Sequence, residues 1–141
     1  MTAYTSTDEV TRIELVMVLN LLNTTGKSIC VEDEKLIDAA TAVSGSGPAY
    51  VFFFMKAMIE AGRNLGFSES EAELLVSQTF KGAIDLFRKD DNSCEQWISR
   101  VASRGGTTEA ALKYFSQTSL YQGIISGAQA AMDRAVELGR E

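Results

Sequence analysis

Directly after Pro48 the chain reads Ala49, Tyr50, Val51, Phe52, Phe53, Phe54 and Met55, seven residues without a charge. Pro48 suits the first turn of a helix, where its missing N–H costs nothing, so the stretch reads as a helix reaching about Leu65. A surface helix carries an apolar stripe of ~100° or more with a polar back. Here polar residues begin only with Lys56, Glu60 and Arg63. The first half therefore needs cover on every side. Either the chain encloses this helix in one large helical core, or a second chain closes over it. A chain of 141 residues has little interior for a fully surrounded helix. The second solution is favoured: a homodimer with an extensive apolar interface.

Pro48 is the only proline, and the periodicity elsewhere is helical. Ser6, Thr7, Asp8 and Glu9 form an acidic start for a helix through "VTRIELVMVLNLLN", with Val10, Ile13, Met17 and Leu21 on one face. Gly26 ends it, and "KSICV" has strand character but is too brief and solitary to define a sheet. A further helix is expected over Glu32–Val43, broken around Gly45 and Gly47. Gly66 is the expected stop of the helix after Pro48. "SESE" (Ser68–Glu71) is a capping box for a helix to about Arg88, and "SCEQ" (Ser93–Gln96) caps "WISRVA". "TEAALKYF" follows the Ser103–Thr107 loop, and "SLYQ" (Ser119–Gln122) caps a last helix ending near Gly139. Residues 1–141 read as a single all-α domain of about seven helices, with no repeat or linker.

Composition removes whole classes of function. There is no histidine, which excludes Ser-His-Asp and Cys-His catalysis and deprives any transition-metal site of its commonest ligand. A net charge of −6 with scattered lysines and arginines argues against nucleic acid or an anionic membrane surface. Cys30 and Cys94 form no C-x-x-C pattern, as expected of reduced thiols in a cytoplasmic protein. The longest apolar run, "AYVFFFM", is far short of the ~20 residues a transmembrane helix needs. No metal, nucleic acid or membrane partner is expected.

Two glycine-rich loops have different expected roles. "SGSGPAY" (Ser44–Tyr50) follows a helical pattern and matches neither phosphate-binding motif, so it reads as a tight helix–helix junction. "SRGGTT" (Ser103–Thr108) precedes a helix. If Gly105 and Gly106 both take positive φ, their amides form an anion-binding nest beside the free N–H groups of the helix start. Ser103, Thr107 and Thr108 add hydroxyls. Taken alone, the loop reads first as a plain glycine turn with Thr107 as N-cap.

Read in order, "DAATAVSGSGPAY", "EAGRNLGFSESEAELLVSQTFKGA" and "SRGGTTEAAL" resemble the C-terminal domain of the pyrroline-5-carboxylate reductase family. The resemblance implies an interleaved helical dimer, like the C-terminal domain of 6-phosphogluconate dehydrogenase-type reductases, with assembly into larger rings in some members. It implies hydride transfer from NADPH or NADH to 1-pyrroline-5-carboxylate, giving L-proline. The dinucleotide would lie on an N-terminal Rossmann domain, of which this chain is expected to contain no βαβ unit. By itself the chain is then expected to bind no cofactor and to be inactive. Ser103 and the amides of Gly106 and Thr107, in the nest that includes Gly105, would take the substrate carboxylate. The Thr108 hydroxyl, the one catalytic contact implied, would hydrogen-bond the ring nitrogen. Arg104 stands where the family usually carries proline, as an added cation near the carboxylate or as an exposed side chain on a looser loop. The alternative function is a helical dimerisation or small-carboxylate-binding module without catalysis.

Overall fold

The computed structural model describes residues Met1–Arg140. Two compact units divide the chain, one built from Met1–Pro48 with the segment from Ile125 onward, the other from Ala49–Ile124. Seven α-helices, one π-helical turn and one strand pair make up the described residues.

The first unit opens with β1 (Thr2–Tyr4), α1 (Arg12–Thr25) and β2 (Ser28–Cys30). The two strands pair in parallel, Thr2 opposite Ser28 and Tyr4 opposite Cys30. Parallel strands require a crossover, and α1 supplies it, so this is a βαβ unit. The expectation that none exists is corrected, and "KSICV" is not solitary. Its partner was concealed because three residues inside a polar, acidic segment leave no alternation to detect. Helix α1 starts later than expected, at a reciprocal box between Thr11 and Glu14. Ser6–Glu9 belongs to the preceding connection.

The face of α1 turned inward is also not the expected one. Leu15, Leu19 and Leu22 are half-buried. Ile13, Met17 and Leu21 are 75%, 66% and 69% exposed. Both stripes satisfy helical spacing, so periodicity cannot choose between them. Helix α2 (Lys35–Ala40) runs into a π-helical turn (Thr41–Gly45). Ser46 keeps right-handed dihedrals, φ −81° and ψ −20°. The glycines do not mark a close backbone approach: a Cβ on Gly47 would meet nothing within 4 Å, and one on Gly45 only Thr41 Cγ2 at 3.7 Å.

The second unit holds most of α3 (Gly47–Asn64), then α4 (Glu69–Lys89), α5 (Cys94–Val101) and α6 (Thr107–Gln117). Gly66 ends the α3 segment at φ 108°, and the Phe67 N–H reaches back to the Gly62 carbonyl at 3.1 Å. The boxes at Ser68–Glu71 and Ser93–Gln96 are formed as the sequence indicates. At the α3–α4 crossing, a Cβ on Gly62 would lie 3.1 Å from the Ala72 Cβ, so only glycine lets the helices close fully there. Phe54 and Phe80 meet edge to face with centroids 6.0 Å apart. A tight turn leads to α7 (Leu120–Leu138). Ser119 precedes it in the left-handed region, φ 55°, not in the extended conformation of the expected capping box.

Among the described residues the buried hydrophobic side chains are Ala42 in the first unit and Ala72 and Val76 in the second. None of α3 is buried, and Phe52 and Phe53 are 66% and 77% exposed. A core of the chain's own making around α3 is therefore excluded.

Candidate active-site loop

The loop ahead of α6 is fixed by a β-turn in which the Gly106 N–H donates to the Ser103 carbonyl at 3.0 Å. Gly105 sits at φ 73°, the value demanded at the third position of a type II turn. Gly106 takes φ −85° and ψ 172° and serves as the N-cap of α6. The expectation of positive φ at both glycines thus holds for Gly105 alone. Thr107 is the first helical residue, not the cap. Gly106 is glycine for a different reason: a Cβ there would meet Ser103 Oγ at 2.6 Å and the Ser103 carbonyl at 3.0 Å. The same contact places the Ser103 hydroxyl over the start of the helix.

The expected pair of free glycine amides is not present. Gly106 donates into the turn, and the Gly105 N–H donates to Glu109 Oε2 at 2.6 Å. Glu109, one turn into α6, was not foreseen as part of this loop. Its signal in sequence is an acid in the first turn of a helix, common enough to pass unnoticed. The Thr107 and Thr108 amides carry no bond among the described residues, as the opening N–H groups of a helix ordinarily do not. Ser103 Oγ and Thr108 Oγ1 also remain unengaged there. Thr108 is half-buried, while Ser103 and Thr107 are exposed. The loop therefore brings together one serine hydroxyl, two helix-terminal amides and one threonine hydroxyl, with one carboxylate already docked at its edge. Such a set suits a small carboxylate bearing a second acceptor or donor a few ångströms away.

Depressions elsewhere suit that ligand less well. One of about 510 Å³ in the first unit is lined by Asp33, Glu34, Lys35, Asp38 and Arg140 among others, so carboxylates outnumber cations on its wall. Among the described residues no group of three or more cysteines, aspartates or glutamates could hold a metal ion. No helix among the described residues is long and apolar enough to cross a membrane.

Residues 34–138 match the family model for pyrroline-5-carboxylate reductase dimerisation. The chain belongs to that family. The pyrroline-5-carboxylate reductase of Pseudomonas aeruginosa is 40% identical over 121 residues, which is 86% of this chain and 44% of the relative. A pyrroline-5-carboxylate reductase structure from Coxiella burnetii superposes with a TM-score of 0.90 at 35% identity, covering 96% of this chain and 50% of that one. The Plasmodium falciparum enzyme, solved with NADP bound, gives 0.87 at 30% identity and covers 97% of this chain and 53% of that one. The chain spans about half the length of the relatives it matches. The all-helical expectation stands, with the βαβ unit as an addition to it. The matched segment of the reductase dimerisation domain takes in every residue of the Ser103–Thr108 loop and excludes β1, α1 and β2.

Proposed function

We propose that this chain is the dimerisation and substrate-binding half of an NAD(P)H-dependent reductase that converts 1-pyrroline-5-carboxylate to L-proline. The observation that carries this is the start of α6, where the amides of Thr107 and Thr108 are unengaged and the Ser103 hydroxyl lies 2.6 Å from where a Cβ on Gly106 would stand. The substrate carboxylate docks on Ser103 and those amides, within the turn shaped by Gly105 and Gly106. The Thr108 hydroxyl hydrogen-bonds the ring nitrogen and holds the C=N carbon in position for reduction. Orientation and anion neutralisation are the loop's contributions, and neither needs a histidine.

In a complete reductase a nicotinamide cofactor would supply the hydride, but the residues present here do not fit its pyrophosphate. The connection from β1 to α1 contains no glycine and carries Asp8 and Glu9. The cofactor must therefore be held by residues other than these. A parallel pair of three-residue strands is too small to stand alone and belongs at the edge of a larger parallel sheet covered on both faces. The exposed apolar stripe of α1, Ile13, Met17 and Leu21, fits that position.

A homodimer closes the exposed phenylalanines of α3. Assembly beyond two chains follows the family's habit, and a cytoplasmic setting keeps the exposed Cys30 and Cys94 thiols reduced. The second reading is a dimerisation or carboxylate-binding module without catalysis. Calorimetry with L-proline tests the site directly. Binding is expected for this chain and a loss of ten-fold or more for Ser103→Ala, since a charge-assisted hydrogen bond of about 1.5–3 kcal/mol is removed. No heat from either protein would leave only the dimerisation role. Joining an upstream dinucleotide domain is expected to give NAD(P)H-dependent reduction.

A further inference from the structure

We infer that Glu109 is a built-in competitor for the carboxylate site, a displaceable anion that sets how selectively the loop accepts a ligand. The inference rests on the substrate-loop reading above and adds a residue to it. Three observations support it. The Glu109 carboxylate lies 2.6 Å from the Gly105 amide, the length of a short charge-assisted bond. Glu109 is the third residue of α6, so its charge sits at the same helix start whose Thr107 and Thr108 amides await an acceptor. No ion pair among the described residues engages it, and Arg104 and Lys113, the basic residues nearest in sequence, join none of those pairs.

An arriving carboxylate therefore meets a like charge already held by the loop. It binds only if its own contacts to Ser103, Thr107 and Thr108 outweigh that repulsion or push Glu109 off Gly105. A weak or ill-fitting anion, such as acetate, cannot. A ligand that also engages the Thr108 hydroxyl can. Glu109 thus turns a generic anion-binding helix start into a selective one without touching the reacting atoms; it is a positioning residue.

The experiment is calorimetric titration of this chain, Glu109→Gln, Glu109→Ala and Ser103→Ala with L-proline and, separately, with acetate. Helicity by circular dichroism checks that each variant is folded. Glu109→Gln keeps an acceptor for the Gly105 amide but removes the charge. It is expected to bind L-proline about ten-fold more tightly than the parent chain and to acquire measurable acetate binding. In the parent chain the Gly105 amide resonance is expected to shift on adding L-proline, as its bond to Glu109 breaks. Glu109→Ala tightens as well, whereas a purely structural cap would weaken binding in both variants. Binding by the parent that Ser103→Ala abolishes, with Glu109→Gln no tighter and the Gly105 resonance unmoved, would overturn the competitor role and leave the substrate loop standing. Absence of heat in all four proteins would remove the loop reading, and this inference with it.

Discussion

Arg104 occupies the second position of the turn that Gly105 and Gly106 complete, where a fixed φ near −65° is favourable and proline is the preferred residue. Its N–H carries no bond among the described residues, so proline would forfeit none. Arg104→Pro is accordingly expected to stabilise the chain by about 0.4–1 kcal/mol, chiefly by restricting the unfolded state, and thermal unfolding at fixed chain concentration measures it. Gly106→Ala is expected to go the other way, since the added methyl meets the Ser103 carbonyl and displaces the hydroxyl proposed to hold the ligand. Calorimetry should then show L-proline binding weakened together with stability. The place of this loop was legible from two glycines, three hydroxyls and a following helix. Which amides remain free was not, because that depends on a side chain four residues downstream choosing Gly105 over solvent.

Capping-box signals in the sequence match the structure at Ser68 and Ser93 but not at Ser119, which takes φ 55°. Ser68–Glu71 and Ser93–Gln96 each pair a hydroxyl with an acceptor three residues on, and both boxes form. The same signal at Thr11–Glu14 was overshadowed by the acidic residues just before it. The π-helical turn has no composition of its own, and both strands are shorter than the period that would reveal them. Hydrogen bonds from the Ser68 hydroxyl and backbone hold the Glu71 carboxyl below its usual value of 4.5, and Thr11 does the same for Glu14. A lowered folded value means that this stabilisation is present above pH 4.5 and is lost as pH falls through the lowered value. Ser68→Ala is expected to cost about 1 kcal/mol at neutral pH, and the gap from the parent should narrow in acid as Glu71 protonates. Melting curves across that range decide it. At the α3–α4 crossing, Gly62→Leu is expected to cost about 1–3 kcal/mol, since Ala72 leaves no room for the larger side chain.

At the scale of the whole molecule, the apolar run after Pro48 revealed the need for cover, and the exposed Phe52 and Phe53 confirm that this chain does not provide it. Sedimentation is expected to give a mass near twice 15.3 kDa, and Phe53→Glu is expected to shift it toward the single-chain value. What the sequence could not reveal is which face of α1 looks inward, because that depends on neighbours rather than on spacing. The exposure along α3 also bears on the life of a newly made copy. Until it meets its counterpart, such a copy offers adjacent bare aromatic rings to chaperones, proteases and its own kind. Dilution should therefore lower its melting temperature, and scarcity in the cell should shorten its survival.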